Sequence, residues 1–302
     1  SFLKVVVVVR RNLGRDATSL SASAWNREGG HRVCRPIIHP RPSSVMNHDH
    51  WIRHFEENTK NRPEPDWQAP LGIQGRALSR LRRSIQQFQL GDGGGPAQLI
   101  AWNRDRYLSD EATRRLVDLW FKEEKEHSRL LGDLLRRLGG EPIATHWSFE
   151  LFCGVRKWFG VNFELQALLS TELVSNVYYQ LLRKHGDDPV LRGVCHLIIR
   201  DETGHIAFHR ARLAAGYSRC GPLRVTLFRL RTLAAGTVLW INHRGAVRSL
   251  GGSDAEFYRG IWRDVNTFLR ALRREKPHPL HSAQPWNGSQ AKRHRSPVTR
   301  DP

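Results

Sequence analysis

The feature that most constrains this chain is a repeated spacing. Glu124-Lys125-Glu126-His127 and Glu202-Thr203-Gly204-His205 each place a glutamate and a histidine three residues apart. On an α-helix such residues lie on one face about a turn apart, so both side chains of a pair reach a common point. One pair alone is a weak signal, because Glu and His meet at that spacing by chance in many helices. Two pairs on separate helices, each facing an acid on a neighbouring helix, are far more selective. They describe a two-metal carboxylate site inside a four-helix bundle.

Periodicity supplies the helices. Leu78, Leu81, Ile85 and Phe88 open a first helical stretch near Ile73, weakened at Gly91-Asp92-Gly93-Gly94-Gly95-Pro96 before an apolar period resumes at Leu99, Ile100 and Trp102. Ser109, followed by Asp110 and Glu111, reads as the N-cap of a second helix ending at Gly139-Gly140. A third helix is expected over residues 149–185 and a fourth from Pro189, a favourable first-turn residue, to about residue 215. Two further helices are expected over residues 223–241 and 255–274.

Counting from the turns finds partners for the motifs. Around a turn near residues 187 and 188, Glu202 and Glu172 lie about 15 residues to either side. Around a turn near residue 108, Glu124 and Asp92 each lie 16 residues away. Glu164 is the rival acid on the third helix, but it sits eight residues from Glu172, roughly 12 Å along the axis. Four inward carboxylates and two imidazoles are costly to bury without metal. Two ions bridged by Glu124 and Glu202, with His127 and His205 and terminal acids Asp92 and Glu172, give an N/O shell suited to non-haem iron or manganese. Asp92 is one methylene shorter than a glutamate, so either glycine-rich backbone there moves inward to let it reach or the first metal is held loosely.

These residues also carry a resemblance. Phe88-Gln89-Leu90-Gly91-Asp92, Lys122-Glu123-Glu124-Lys125-Glu126-His127 and Ile199-Arg200-Asp201-Glu202-Thr203-Gly204-His205, with Glu172 upstream, resemble the ferritin-like di-iron carboxylate superfamily over residues 75–215. The resemblance implies a ferritin-like four-helix bundle with additional C-terminal helices, two iron ions, and O2 activation for hydroxylation, desaturation, radical generation or iron oxidation. It also implies that an acid preceding a bridging glutamate orients a metal-bound histidine from behind; Asp201 fits either that role or a solvated surface position, and Glu123 is the weaker candidate. Tyr179, on the face of Glu172, reads as a core tyrosine before a redox-active or hydrogen-bonding one, and His209, four residues after His205, as a satisfied interior histidine before one lining the same cavity. Trp120 and Phe121 either pack the core or wall a substrate pocket.

The domain reading follows. Residues 1–70 are expected to be a disordered or mis-started N-terminal segment and linker, with translation beginning at Met46 favoured over a disordered or cleaved leader; residues 71–218 are expected to form the bundle, 219–275 a helical extension and 276–302 a disordered basic tail. The formal charge of +19 raises nucleic acid or an anionic membrane as a partner, and an RNA base is one candidate substrate. The arginines are nonetheless scattered through every segment, so an arginine-rich surface is the reading favoured over nucleic-acid binding. Four widely spaced cysteines suggest neither a disulfide framework nor a thiolate zinc site, which fits a reduced cytoplasmic setting. Arginines interrupt the most apolar stretch, residues 223–241, so a transmembrane segment is not expected, whereas peripheral membrane contact is compatible with its composition. The overall expectation is a monomer or dimer that uses O2 and an unknown small-molecule substrate or electron donor, with iron oxidation, storage or sensing as the rival.

Overall fold

The computed structural model describes residues 46–60, 62–94, 98–216 and 221–275. The expectations for residues 1–45 and 276–302 lie outside the described residues.

Among the described residues the chain is all-helical. Helix α1 spans His48–Lys60 and α2 spans Gly75–Gln89, running into a π-helical turn, Leu90–Gly94. A short α3 (Arg104–Tyr107) leads into α4 (Glu111–Arg137), followed by α5 (Trp147–Trp158), α6 (Val161–His185), α7 (Pro189–Gly216), α8 (Pro222–Ser249) and α9 (Asp254–Arg274).

Local chemistry explains the boundaries, and several differ from expectation. The cap of α4 is Asp110, whose carboxylate accepts from the Thr113 amide at 2.8 Å, and not Ser109, whose hydroxyl donates to the Arg106 carbonyl. Helix α4 ends as the sequence implies: Gly139 takes φ +70°, and the Gly139 and Gly140 amides return to the carbonyls of Arg136 and Leu135. The single helix expected over residues 149–185 is two, because Phe159 adopts extended backbone and Gly160 restarts the chain as the N-cap of α6. Asn103 secures that restart by accepting from the Val161 amide at 2.8 Å. Asp188 caps α7 through the Leu191 amide, and its other oxygen accepts from Gly72 N–H and Arg137. A capping box between Ser253 and Glu256 starts α9.

The segment over residues 46–70, expected to be a polar linker, carries α1. Trp51 and Phe55, one turn apart, bury its inner face against Trp120 and Phe208. The extension over residues 219–275 is not a separate unit either. Trp240, Val247, Phe257, Ile261 and Phe268 of α8 and α9 share one apolar core with α2, α6 and α7.

The core has two parts. One is formed by α2, the C-terminal half of α4, the C-terminal part of α6, the start of α7, α8 and α9. The other joins α1, Leu99 and Ala101, the first half of α4, the start of α6 and Phe208. Between them α4 presents Glu123 and His127, α6 presents Glu172, and α7 presents Asp201, Glu202 and His205, all buried. A belt of ionisable groups therefore crosses the helices between two apolar layers. Buried charge at this density is stable only when paired or bound to metal.

Candidate metal centre

Glu124 is common to two groups of side chains whose ligand atoms all lie within 4.8 Å of one another. One is Glu124, His127 and Glu202; the other is Glu124, Glu172 and His205. The shared glutamate spans both histidines, with one oxygen 3.7 Å from His127 Nδ1 and the other 3.1 Å from His205 Nδ1. Glu202 does the same more loosely, at 3.9 Å from His127 Nδ1 and 3.8 Å from His205 Nδ1.

Behind the imidazoles the pattern is reciprocal. His127 of α4 donates from Nε2 to Asp201 Oδ2 of α7 at 3.0 Å, and His205 of α7 donates from Nε2 to Glu123 Oε2 of α4 at 2.9 Å. Each acid immediately preceding one motif's glutamate thus holds the other motif's histidine. With Nε2–H committed to a carboxylate, Nδ1 is the atom each ring presents to the cluster. Both Nδ1 atoms are buried without a hydrogen-bond partner among the described residues, as are both Glu172 carboxyl oxygens and Glu202 Oε2. Buried orphan acceptors converging on one point fit a cation held there.

Sequence reasoning missed a further layer. The Asn58 amide of α1 donates to Glu123 Oε1 at 2.8 Å and to Asp201 Oδ1 at 2.7 Å, tying the two supporting acids together. Arg62 adds a contact of 2.5 Å to Asp201 Oδ2. The available signal was helical spacing within the presumed linker, where Trp51, Phe55 and Asn58 stand at i, i+4 and i+7.

Asp92 stands apart from both groups. It lies on the π-helical turn, where Tyr179 donates to its Oδ2 at 3.0 Å, so Tyr179 is a hydrogen-bonding partner at the edge of the site. His209 is also closer than a plain interior histidine. Its Nε2 is 3.3 Å from Glu172 Oε1, while Arg212 donates to its Nδ1 at 3.2 Å. A guanidinium on Nδ1 leaves the ring proton on Nε2, facing the Glu172 carboxylate. Trp120 packs edge-on against His209 with centroids 4.9 Å apart, and Phe55 lies 5.9 Å from His205. Glu164 works elsewhere: it accepts from the Ile100 and Ala101 amides and from Arg156, anchoring α5 and the loop before α3.

Electrostatics follow from crowding. Burial pushes the Glu172 carboxyl up to about 8, with Glu124 adding to the rise. Burial and the neighbouring Glu124 raise Asp92 to about 8. Glu202 rises to about 7, again chiefly by burial. Burial alone would lower His127, but the hydrogen bond to Asp201 and the nearby Glu124 and Glu202 carboxylates outweigh it and raise the imidazole to about 10. Burial opposes ionisation of Glu124, yet the two histidines hold it well below the usual carboxylate range. Burial and Arg212 push His209 well down, keeping it neutral. Protons thus balance the buried charge wherever no cation does.

The fold and site define an all-α protein with a buried carboxylate and histidine cluster able to hold metal. The chain matches no family model, no curated protein and no solved structure.

Proposed function

We propose that this protein is a ferritin-like, non-haem di-iron carboxylate protein that activates O2 as an oxidoreductase. The observation that carries the reading is the reciprocal arrangement about Glu124, in which two ligand groups share one carboxylate and each histidine is held from behind by the opposite motif's acid. His127, Glu202 and Glu124 would hold one ion, with Asp92 at its edge, and His205, Glu172 and Glu124 the other. Manganese suits the same donor set. When bound, two iron ions supply the electrons that reduce O2.

The chain's own residues have separable tasks. Glu123 and Asp201 fix both imidazoles with Nδ1 inward. Phe55, Trp120 and Phe208 exclude water from that side of the cluster. His209 directs a neutral Nε2–H at Glu172, where it can steady the carboxylate as its charge is used. Those aromatic rings, packed on His205 and His209, also favour a second reading in which the reactants are small, namely iron and O2 without an organic substrate.

Metal analysis of protein purified without added metal, combined with an O2-reactivity spectrum, tests the proposal. Two iron ions per chain and an O2-dependent absorption change are expected. A variant carrying Glu124→Ala, His127→Ala, Glu202→Ala and His205→Ala should bind neither ion; retention of both would overturn the assignment.

A further inference from the structure

The two C-terminal helices have a surface that the metal centre does not use. On α8, Leu223, Leu227 and Leu230 follow i, i+4, i+7 spacing and are 70%, 48% and 58% exposed. Helix α9 lies alongside it, with Phe228 and Phe268 stacked at 5.5 Å. The outward stripe of α9 carries Trp262, 50% exposed, and then the exposed Arg270 and Arg273. The two stripes adjoin: Arg229, next to Leu230, lies over the Trp262 ring at 5.3 Å and donates to Asn266.

The charge around this surface is predominantly positive, its nearby acids Asp264 and Glu275 being paired with Arg263 and Arg210. Helix α8 contains arginines at 224, 229, 231, 244 and 248 and no aspartate or glutamate in its whole length. The last ten residues of α9 add three arginines and no acid. Exposed leucines rimmed by arginines, with tryptophan at the margin, match an interfacial helix lying in the plane of an anionic bilayer. No helix of the described residues is long and apolar enough to cross a membrane, so such a surface would lie on the bilayer.

Other occupants fit less well. A second copy would set arginine against arginine. The chain after α9, basic at Lys292, Arg293 and Arg295, would meet the same repulsion. Nucleic acid would satisfy the arginines but leave three leucines uncovered.

We infer that the face formed by the N-terminal half of α8 and the C-terminal half of α9 docks this protein onto anionic phospholipid membranes, the leucines and Trp262 entering the headgroup boundary and the arginines meeting phosphates. This inference does not depend on which metal the cluster binds.

Vesicle flotation with the full chain tests it. Vesicles of phosphatidylcholine containing roughly 30% phosphatidylglycerol should bind at least about tenfold more tightly than pure phosphatidylcholine, with salt weakening the binding. The double variants Leu227→Glu/Leu230→Glu and Arg270→Glu/Arg273→Glu should each lower binding about tenfold or more at unchanged helicity and metal content. Three results would overturn the inference: no binding to anionic vesicles, full binding by the leucine variant, or a dimer broken by the leucine variant without vesicle binding. Binding confined to duplex RNA and lost only in the arginine variant would replace the membrane with nucleic acid.

Discussion

Asn58 shows how much of this site depends on a residue that touches no ligand atom of the cluster. Its one amide group donates to both Glu123 and Asp201, the acids that orient the two histidines. Removing it takes one donor from each of two buried carboxylates, leaving Asp201 to its arginines and Glu123 to His205, and loosens the hold on both imidazoles. Asn58→Ala should therefore weaken metal binding about 10- to 100-fold, read by competition with a chelator; wild-type affinity would mean that the acids hold position without it. Glu124 and Glu172 offer a sharper contrast, because Glu124 belongs to both ligand groups and Glu172 to one. Glu124→Ala should lose both ions and Glu172→Ala should keep one, and equal losses measured by elemental analysis would contradict the shared-carboxylate arrangement. The acid-Glu-x-x-His repeat at residues 123–127 and 201–205 was legible because its chemistry is local to each helix. Asn58 was not, since its partners lie 65 and 143 residues away and only tertiary packing brings them within reach. Asp92 illustrates another limit. Counting about residue 108 assumes continuous helix, but a π-helical turn, α3 and non-helical backbone intervene between Asp92 and α4.

The elements were read with the same asymmetry. Helices α4 and α7 followed from an acidic or proline first turn, a glycine stop and apolar period, whereas the break at Phe159 and Gly160 was hidden because the apolar pattern runs through it and Asn103, 58 residues away, secures the restart. Helix α1 was hidden by the prolines that follow it. The two C-terminal helices were visible as helices, but their integration into the main core was not. Glycine explains how they approach so closely. A β-carbon at Gly260 of α9 would lie 2.6 Å from Val177 Cγ1 of α6, and valine, branched at Cβ, has little rotamer freedom with which to yield. Gly260→Val should therefore destabilise the fold by about 1–3 kcal/mol through overpacking, measured by urea denaturation. Metal content should stay at wild-type level, because the cluster residues lie on α4, α6 and α7 and not on α9. A stable variant would show that α9 can move away from α6 at little cost.

Across the whole molecule, the metal centre couples stability to pH through the protons that stand in for cations. In the metal-free protein Glu172 and Asp92 are raised to about 8, Glu202 to about 7 and His127 to about 10, each above its value in an unfolded chain. Between pH 6 and pH 9 the folded state therefore binds more protons than the unfolded one, and its stability must fall as pH rises. The histidine contribution is complete below pH 6.5 and is lost as pH climbs through about 10. Of the groups held low, Glu124 and Asp201 titrate below this window, while His209, His243 and His54 bind fewer protons folded than unfolded near the ordinary histidine pKa and so offset part of the trend at its acid end only. Metal changes the balance, because bound carboxylates and imidazoles must shed those protons and the ions then neutralise the charge that made deprotonation costly. The melting temperature of the metal-free protein should drop by several degrees from pH 6 to pH 9, while that of the metal-loaded protein should fall less or rise. Metal affinity should increase over the same range, with proton release on binding measurable in weakly buffered solution. A metal-free melting temperature that held steady or rose with pH would mean that the belt is neutralised by something other than its own protons.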